Sequence, residues 1–220
     1  MSILFAGAID VECKATSPKS AVLEIAITLF SVFDLKMVDS LDILINPEDP
    51  FQVERDVAEQ TLAWWRGEGN PDYAPSQAAI DHVWHTKTCR SLPEAMSMLE
   101  GFLGKYRENL NNIRFGMRGP DFDYPIIKDA LEHVGIERSN LRFSKLDSNR
   151  TVDAFNELLG IPEVNPVILD TLSPFGRHVP HTAICDAIEE GYQLARFYNL
   201  AGRLRVHHEL SKLVDEYRYE

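Results

Sequence analysis

Two apolar stretches near the amino end, residues 3–12 and 21–33, are rich in Ile, Val, Leu and Phe and have the length of strands. The polar stretch Lys14–Ser20, which contains Pro18, reads as the turn between them. A third strand is predicted over 36–45. The run Ala21-Val22-Leu23-Glu24-Ile25-Ala26-Ile27 is almost wholly apolar, which predicts strands covered on both faces, as in an α/β sheet. Asn46-Pro47-Glu48-Asp49-Pro50 then breaks the chain. From about 54 to 109 the apolar period becomes helical, with helices predicted near 54–66, 75–85 and 91–108. Ser91 and Glu94 have the spacing of a capping box. Ile113–Met117 reads as a short strand and Phe122–Val134 as a helix, with further helices over 150–160, 183–198 and about 200–217. No internal repeat or linker divides the chain. The expectation is an α/β fold in a single domain over 1–220, a mixed central sheet flanked by helices with a helical insertion at about 54–109.

Composition changes this picture little. The 220 residues are 45% hydrophobic and 25% charged, ordinary for a globular protein. A formal charge of −12 speaks against a general electrostatic grip on nucleic acid, which usually needs a basic domain or stripe. It leaves room for a nuclease, because carboxylates contribute to that charge and bound divalent ions would reverse its sign locally. Cys13, Cys89 and Cys185 form no CxxC pair, so a reduced, cytoplasmic protein is expected. The amino end has no basic leader, and the apolar runs are strand-sized, so no membrane span is expected.

The candidate chemistry lies in acids. Asp10 and Glu12 stand at i and i+2 near a strand end, on one face, while Ile9 and Val11 point to the other. That arrangement suits joint coordination of a hard cation, although for such a pair taken alone a solvated strand end is the more ordinary explanation. Asp123 lies in Arg118-Gly119-Pro120-Asp121-Phe122-Asp123-Tyr124-Pro125, between a strand and a helix, where a capping role is the alternative. His181 and Asp186 are five residues apart; at about 100° per residue they cannot share a helical face. They therefore straddle a helix start, with Thr182 as the expected N-cap of a helix from Ala183.

Taken in order, Asp10-Val11-Glu12, Phe122-Asp123 and His181-x-Ala183-x-x-Asp186-Ala187 resemble the three motifs of the DEDDh branch of the DEDD exonuclease superfamily, which has a ribonuclease H-like fold. Thr61-x-x-Trp64-Trp65 and Arg118-Gly119-x-x-Phe122-Asp123-Tyr124-Pro125-Ile126 look more narrowly like the bacteriophage exonuclease A group, related to the RNase AS type exoribonucleases. Two departures stand out. Gly119 occupies a position that is commonly Asn in the superfamily, and Ala63 stands where the phage group has an acid.

The resemblance implies a 3′–5′ exonuclease that releases nucleoside monophosphates from single-stranded 3′ ends, DNA slightly favoured over RNA. Asp10, Glu12 and Asp186 would hold one Mg²⁺ or Mn²⁺, and Asp10 and Asp123 a second, in a two-ion site. His181 would be the general base, with an ordinary pKa of about 6.5 that suits proton transfer near neutrality. Trp64, Trp65, Phe122 and Arg118 are candidate substrate contacts, by stacking or to phosphate; of the two tryptophans one would stack on a terminal base, and partly buried packing of both is the equal alternative. An inactive nucleic-acid-binding protein on the same fold is the rival of another class. It would normally lack one of the five site residues. A purely structural acidic protein would leave the motif order unexplained.

Other signals are set aside. His82-Val83-Trp84-His85 with Cys89 mimics a zinc spacing without a complementary pair, so these residues are not read as a zinc site. His207-His208 reads as a solvated helix face, and Asp121, Asp147, Asp153 and Asp170 rank below the motif acids. Glu24, alone among apolar neighbours, is either a buried acid supporting the site or an edge residue. Oligomeric state is open, and a homodimer is compatible with the sequence.

Overall fold

The computed structural model describes residues 3–68, 74–106, 111–137, 141 and 146–217, with side chains through 208. Its centre is a five-stranded mixed sheet in the order β3-β2-β1-β4-β5. β1 (Phe5–Cys13), β2 (Val22–Ser31) and β3 (Met37–Leu44) form an antiparallel meander, while β4 (Ile113–Met117) runs parallel to β1. A parallel neighbour requires a crossover, and the segment from β3 to β4 provides one. It contains a 3₁₀ turn at Pro50–Gln52 and the helices α1 (Glu59–Trp65), α2 (Gln77–His85) and α3 (Leu92–Lys105). α4 (Asp123–His133), β5 (Leu146–Ser148), α5 (Asn149–Leu158), α6 (Pro166–Leu172) and α7 (Ala183–Tyr217) follow.

The two-residue period of β1 and β2 sorts their side chains between two layers. Ile9 and Val11, with Ile25, Ile27 and Leu29, pack beneath α3 and α4 through Met96, Leu99, Ile126 and Ile127. The alternate positions Ala6, Ala8, Ala26 and Phe30 meet α7 at Ala183, Ile184, Ala187 and Ile188. Alanines on both sides let that helix lie close to the sheet. At Gly191 a Cβ would come within 2.6 Å of Thr28 Oγ1 and 3.1 Å of the Ala8 nitrogen. Asp10 and Glu12 share the parity of Ala6 and Ala8, so they face α7.

The predicted mixed α/β sheet with flanking helices is observed, with four differences. The helix expected from 54 begins at Glu59, because Pro50–Gln52 forms its own 3₁₀ turn, with the Asp49 side chain accepting from the Phe51 N–H. β5 and α6 were not anticipated; each is short, and Asn165 caps α6 by accepting from Val167 N at 3.0 Å. The helices expected at 183–198 and 200–217 are one helix, Ala183–Tyr217. Asn199 looks like a stop signal, yet its Nδ2 donates to the Val32 and Phe33 carbonyls at the end of β2, and Gly202 leaves the helix unbroken. The predicted end of the third helix, 107–108, lies outside the described residues. No helix among the described residues is long and apolar enough to cross a membrane.

Candidate active site

The end of β1, the central strand, the start of α4 and the start of α7 meet at one end of the sheet. There the structure brings together all four motif acids and His181. The ligand atoms of Glu12, His181 and Asp186 lie within 4.8 Å of one another. Asp10 is felt by Asp123, Asp186 and Glu12, and burial followed by repulsion from these neighbours drives its carboxyl far above the ordinary range. Glu12 is raised in the same way, by burial and then by Asp186 and Glu24. Burial lifts Asp123 to about 7 against the help of a Gly119 N–H bond, and lifts Asp186 to about 7 against a His181 N–H bond. Carboxylates gathered with so little relief leave the charged forms to be stabilised by a cation.

Local backbone chemistry explains how α7 starts. Asp186 N donates to Thr182 O at 3.0 Å, which places Thr182 at the N-cap. The expected side-chain cap is not made. Thr182 Oγ1 turns back to Val179 O at 2.9 Å, and the helical N–H of Ile184 donates instead to Glu24 Oε1 on β2 at 3.2 Å. The sequence left Glu24 open; it is a fully buried acid that caps the helix carrying Asp186. His181 precedes that cap in a left-handed conformation, φ 64°, which sets its ring apart from the helix. Its backbone N–H donates to Asp186 Oδ2 at 3.1 Å. Burial lowers the imidazole pKa, keeping the ring neutral and able to accept a proton.

The proposed substrate contacts divide. Trp64 faces the site, its ring 5.0 Å from that of His181 and perpendicular to it. Trp65 is 3% exposed, packs with Leu23 and Val83, and donates its indole N–H to Cys13 O at 3.1 Å. Phe122 is half-buried against the α3–α4 layer. Arg118 stands at the rim, 3.5 Å from Asp153, at the mouth of a groove of about 610 Å³ lined also by Asn156, Glu189, Gln193 and Arg196.

The lower-ranked acids have other partners: Asp147 accepts from Tyr198 Oη at 2.7 Å, and Asp170 from His178 N at 2.6 Å. His207 and His208 are exposed on α7. One residue was missed. Glu190 is 3% exposed, its Oε2 has no hydrogen-bond partner among the described residues, and burial with repulsion from Asp123 and Asp186 raises it well above the carboxylate range. It follows Asp186 by four residues, the spacing that puts two side chains on one helical face, and that signal was available in the sequence.

Over residues 6–196 the sequence matches the family described as the 3′-5′ exoribonuclease Rv2179c-like domain. No curated protein matches it. Among solved structures it is similar to the nuclease domain of 3′hExo, a DEDDh family member bound to rAMP, at 12% identity and a TM-score of 0.52, covering 91% of this chain and 92% of that one. It is also similar to exonuclease I at 12% identity and a TM-score of 0.51, covering 97% of this chain and 46% of that one. At these identities the likeness shows the fold, which is ribonuclease H-like.

Proposed function

The chain belongs to the 3′-5′ exoribonuclease Rv2179c-like domain family and is a 3′–5′ exonuclease; on that premise we propose that it works as a DEDDh enzyme, in which Asp10, Glu12, Asp123 and Asp186 hold two divalent ions and His181 is the general base. The observation that carries this reading is the convergence of Glu12, His181 and Asp186 donor atoms within 4.8 Å at the start of one helix. The donors for the ions are all carboxylate oxygens, which fits Mg²⁺ or Mn²⁺. When bound, the ions would lower the pKa of a water and offset charge building on the phosphate.

The residues of the chain perform the remaining tasks. The neutral His181 ring accepts the proton of the attacking water, and the Asp186 bond to its backbone N–H keeps the ring at the edge of the acid cluster. Trp64, whose ring meets His181, stacks on the terminal base. Arg118, at the mouth of its groove, contacts a phosphate of the strand behind the scissile bond. Release of one nucleoside 5′-monophosphate per turnover follows. Thr61, the paired tryptophans and Arg118-Gly119-x-x-Phe122-Asp123 support a narrower kinship with phage exonuclease A and the RNase AS type enzymes.

The family description favours RNA as substrate, and RNA is the reading carried forward over the DNA expected from the phage resemblance. The test uses 5′-labelled single-stranded RNA and DNA of one sequence, with Mg²⁺ or with chelator. A metal-dependent ladder shortening from the 3′ end of RNA is expected. A ladder on DNA alone would reverse the sugar assignment, and undiminished cleavage by Asp10→Ala would remove the site assignment.

A further inference from the structure

A second group of ligand-bearing side chains stands next to the active centre. Glu24 of β2, Asp42 of β3 and His82 of α2 place one donor atom each within 4.8 Å of the others. His82 Nε2 lies 3.3 Å from Glu24 Oε1 and 3.6 Å from Asp42 Oδ2. A protonated imidazole bridging two carboxylates would draw them in to about 2.7–2.9 Å. Donors on a tetrahedral ion with bonds of about 2.0–2.1 Å sit about 3.3–3.4 Å apart; the His82–Glu24 distance has that value and the His82–Asp42 distance is slightly longer.

Independent of these distances, Glu24 is fully buried and its Oε2 has no hydrogen-bond partner among the described residues. A buried, unpaired carboxylate oxygen calls for a partner, and a cation supplies one. His82 is largely covered, with the Phe175 ring 4.9 Å away edge-on, whereas the Asp42 side chain is 29% exposed and leaves a way in from solvent.

We infer that Glu24, Asp42 and His82 form a structural site for a zinc-class divalent cation, separate from the catalytic carboxylates. One imidazole nitrogen with two carboxylates suits zinc better than magnesium, which favours an all-oxygen shell. The ligands come from two strands and from the helical segment between β3 and β4, so the ion ties α2 to the sheet. Glu24 also caps α7 through Ile184 N, so the same ion steadies the residue that fixes the helix of Asp186. His85 and Cys89, the neighbours that mimic a zinc spacing in the sequence, take no part. Cys89 Sγ donates to Thr86 O at 3.0 Å.

The site is independent of the nuclease reading and is tested in its absence. The full chain carrying D10N and D186N, stripped with chelator and dialysed against Zn²⁺, is expected to retain a single zinc equivalent by elemental analysis. Adding H82Q and D42N removes it. Co²⁺ titrated into the D10N/D186N protein gives the visible absorption of a nitrogen- and oxygen-ligated tetrahedral ion, a readout that does not require the H82Q chain to fold. Absence of both the zinc equivalent and the cobalt band overturns the site, as does zinc content unchanged by H82Q and D42N in a folded protein. Failure of the wild-type enzyme to cut RNA or DNA would instead overturn the nuclease mechanism and leave this site standing.

Discussion

The His181 backbone N–H donates to Asp186 Oδ2 across 3.1 Å, so the main chain of the proposed base holds the side chain of a proposed metal ligand. Removing the imidazole leaves this bond in place. His181→Ala is therefore expected to lower kcat by about 10²–10⁴-fold, the usual worth of a general base, with Mg²⁺ affinity nearly unchanged by calorimetry. Asp186→Ala loses both activity and metal binding. Equal loss of metal affinity in the two variants would mean that His181 is a ligand.

Neighbouring tryptophans should separate function from stability. Trp64→Ala keeps the melting temperature within a few degrees but weakens binding of single-stranded substrate by about 1–3 kcal/mol, the value of one stacked base. Trp65→Ala removes a buried indole that donates to Cys13 O and costs about 3–5 kcal/mol in denaturant unfolding. Reversal of this pattern would make Trp65 the substrate contact.

Without metal, the acid cluster should make the fold less stable as pH rises. Asp123 and Asp186 titrate at about 7 in the folded protein, above the ordinary aspartate value, so the folded state binds more protons than the unfolded chain between those limits. Stability then falls as pH climbs from about 4 to 7. His181 has the opposite sign: its depressed pKa costs stability as pH falls through the ordinary histidine range. Two acids at least outweigh one histidine. In chelator the melting temperature is expected to be lower at pH 8 than at pH 5, and Mg²⁺ to raise it more at pH 8. A metal effect independent of pH would contradict the clustering of these charges.

Two glycines of α7 should respond oppositely to alanine. At Gly191 the added methyl meets Thr28 Oγ1, which is held by its bond to Ala187 O at 2.7 Å and cannot swing away freely. Gly191→Ala should cost about 1–3 kcal/mol and reduce activity, since the helix must lift from the sheet near Asp186. Gly202 has open space around it, and Gly202→Ala should gain up to about 1 kcal/mol from helix propensity. Denaturant titration of both variants decides this, and stabilisation by Gly191→Ala would contradict the close packing.

Strand-sized apolar runs made β1 and β2 legible, and the helical period of apolar positions made most helices legible. The motif acids and His181 were readable from spacing and order. What escaped had long-range causes. Glu24 caps Ile184 across 160 positions, and nothing local to Thr182 shows that its hydroxyl would turn to Val179. Asn199 reads as a helix stop in isolation, yet its amide is engaged by the carbonyls of Val32 and Phe33, just past β2. The grouping of His82 with Glu24 and Asp42 depends on strand register, whereas the sequence offered only the nearby His85 and Cys89. Glu190 obeys the helical spacing rule relative to Asp186 but belongs to no motif.

The left-handed backbone at His181 sets a limit on how this protein can change. A side chain there costs on the order of 1 kcal/mol that glycine would not incur. Selection for heat resistance alone would thus favour glycine at this position and remove the proposed general base. A histidine retained there in a stabilised lineage is a record of selection for turnover.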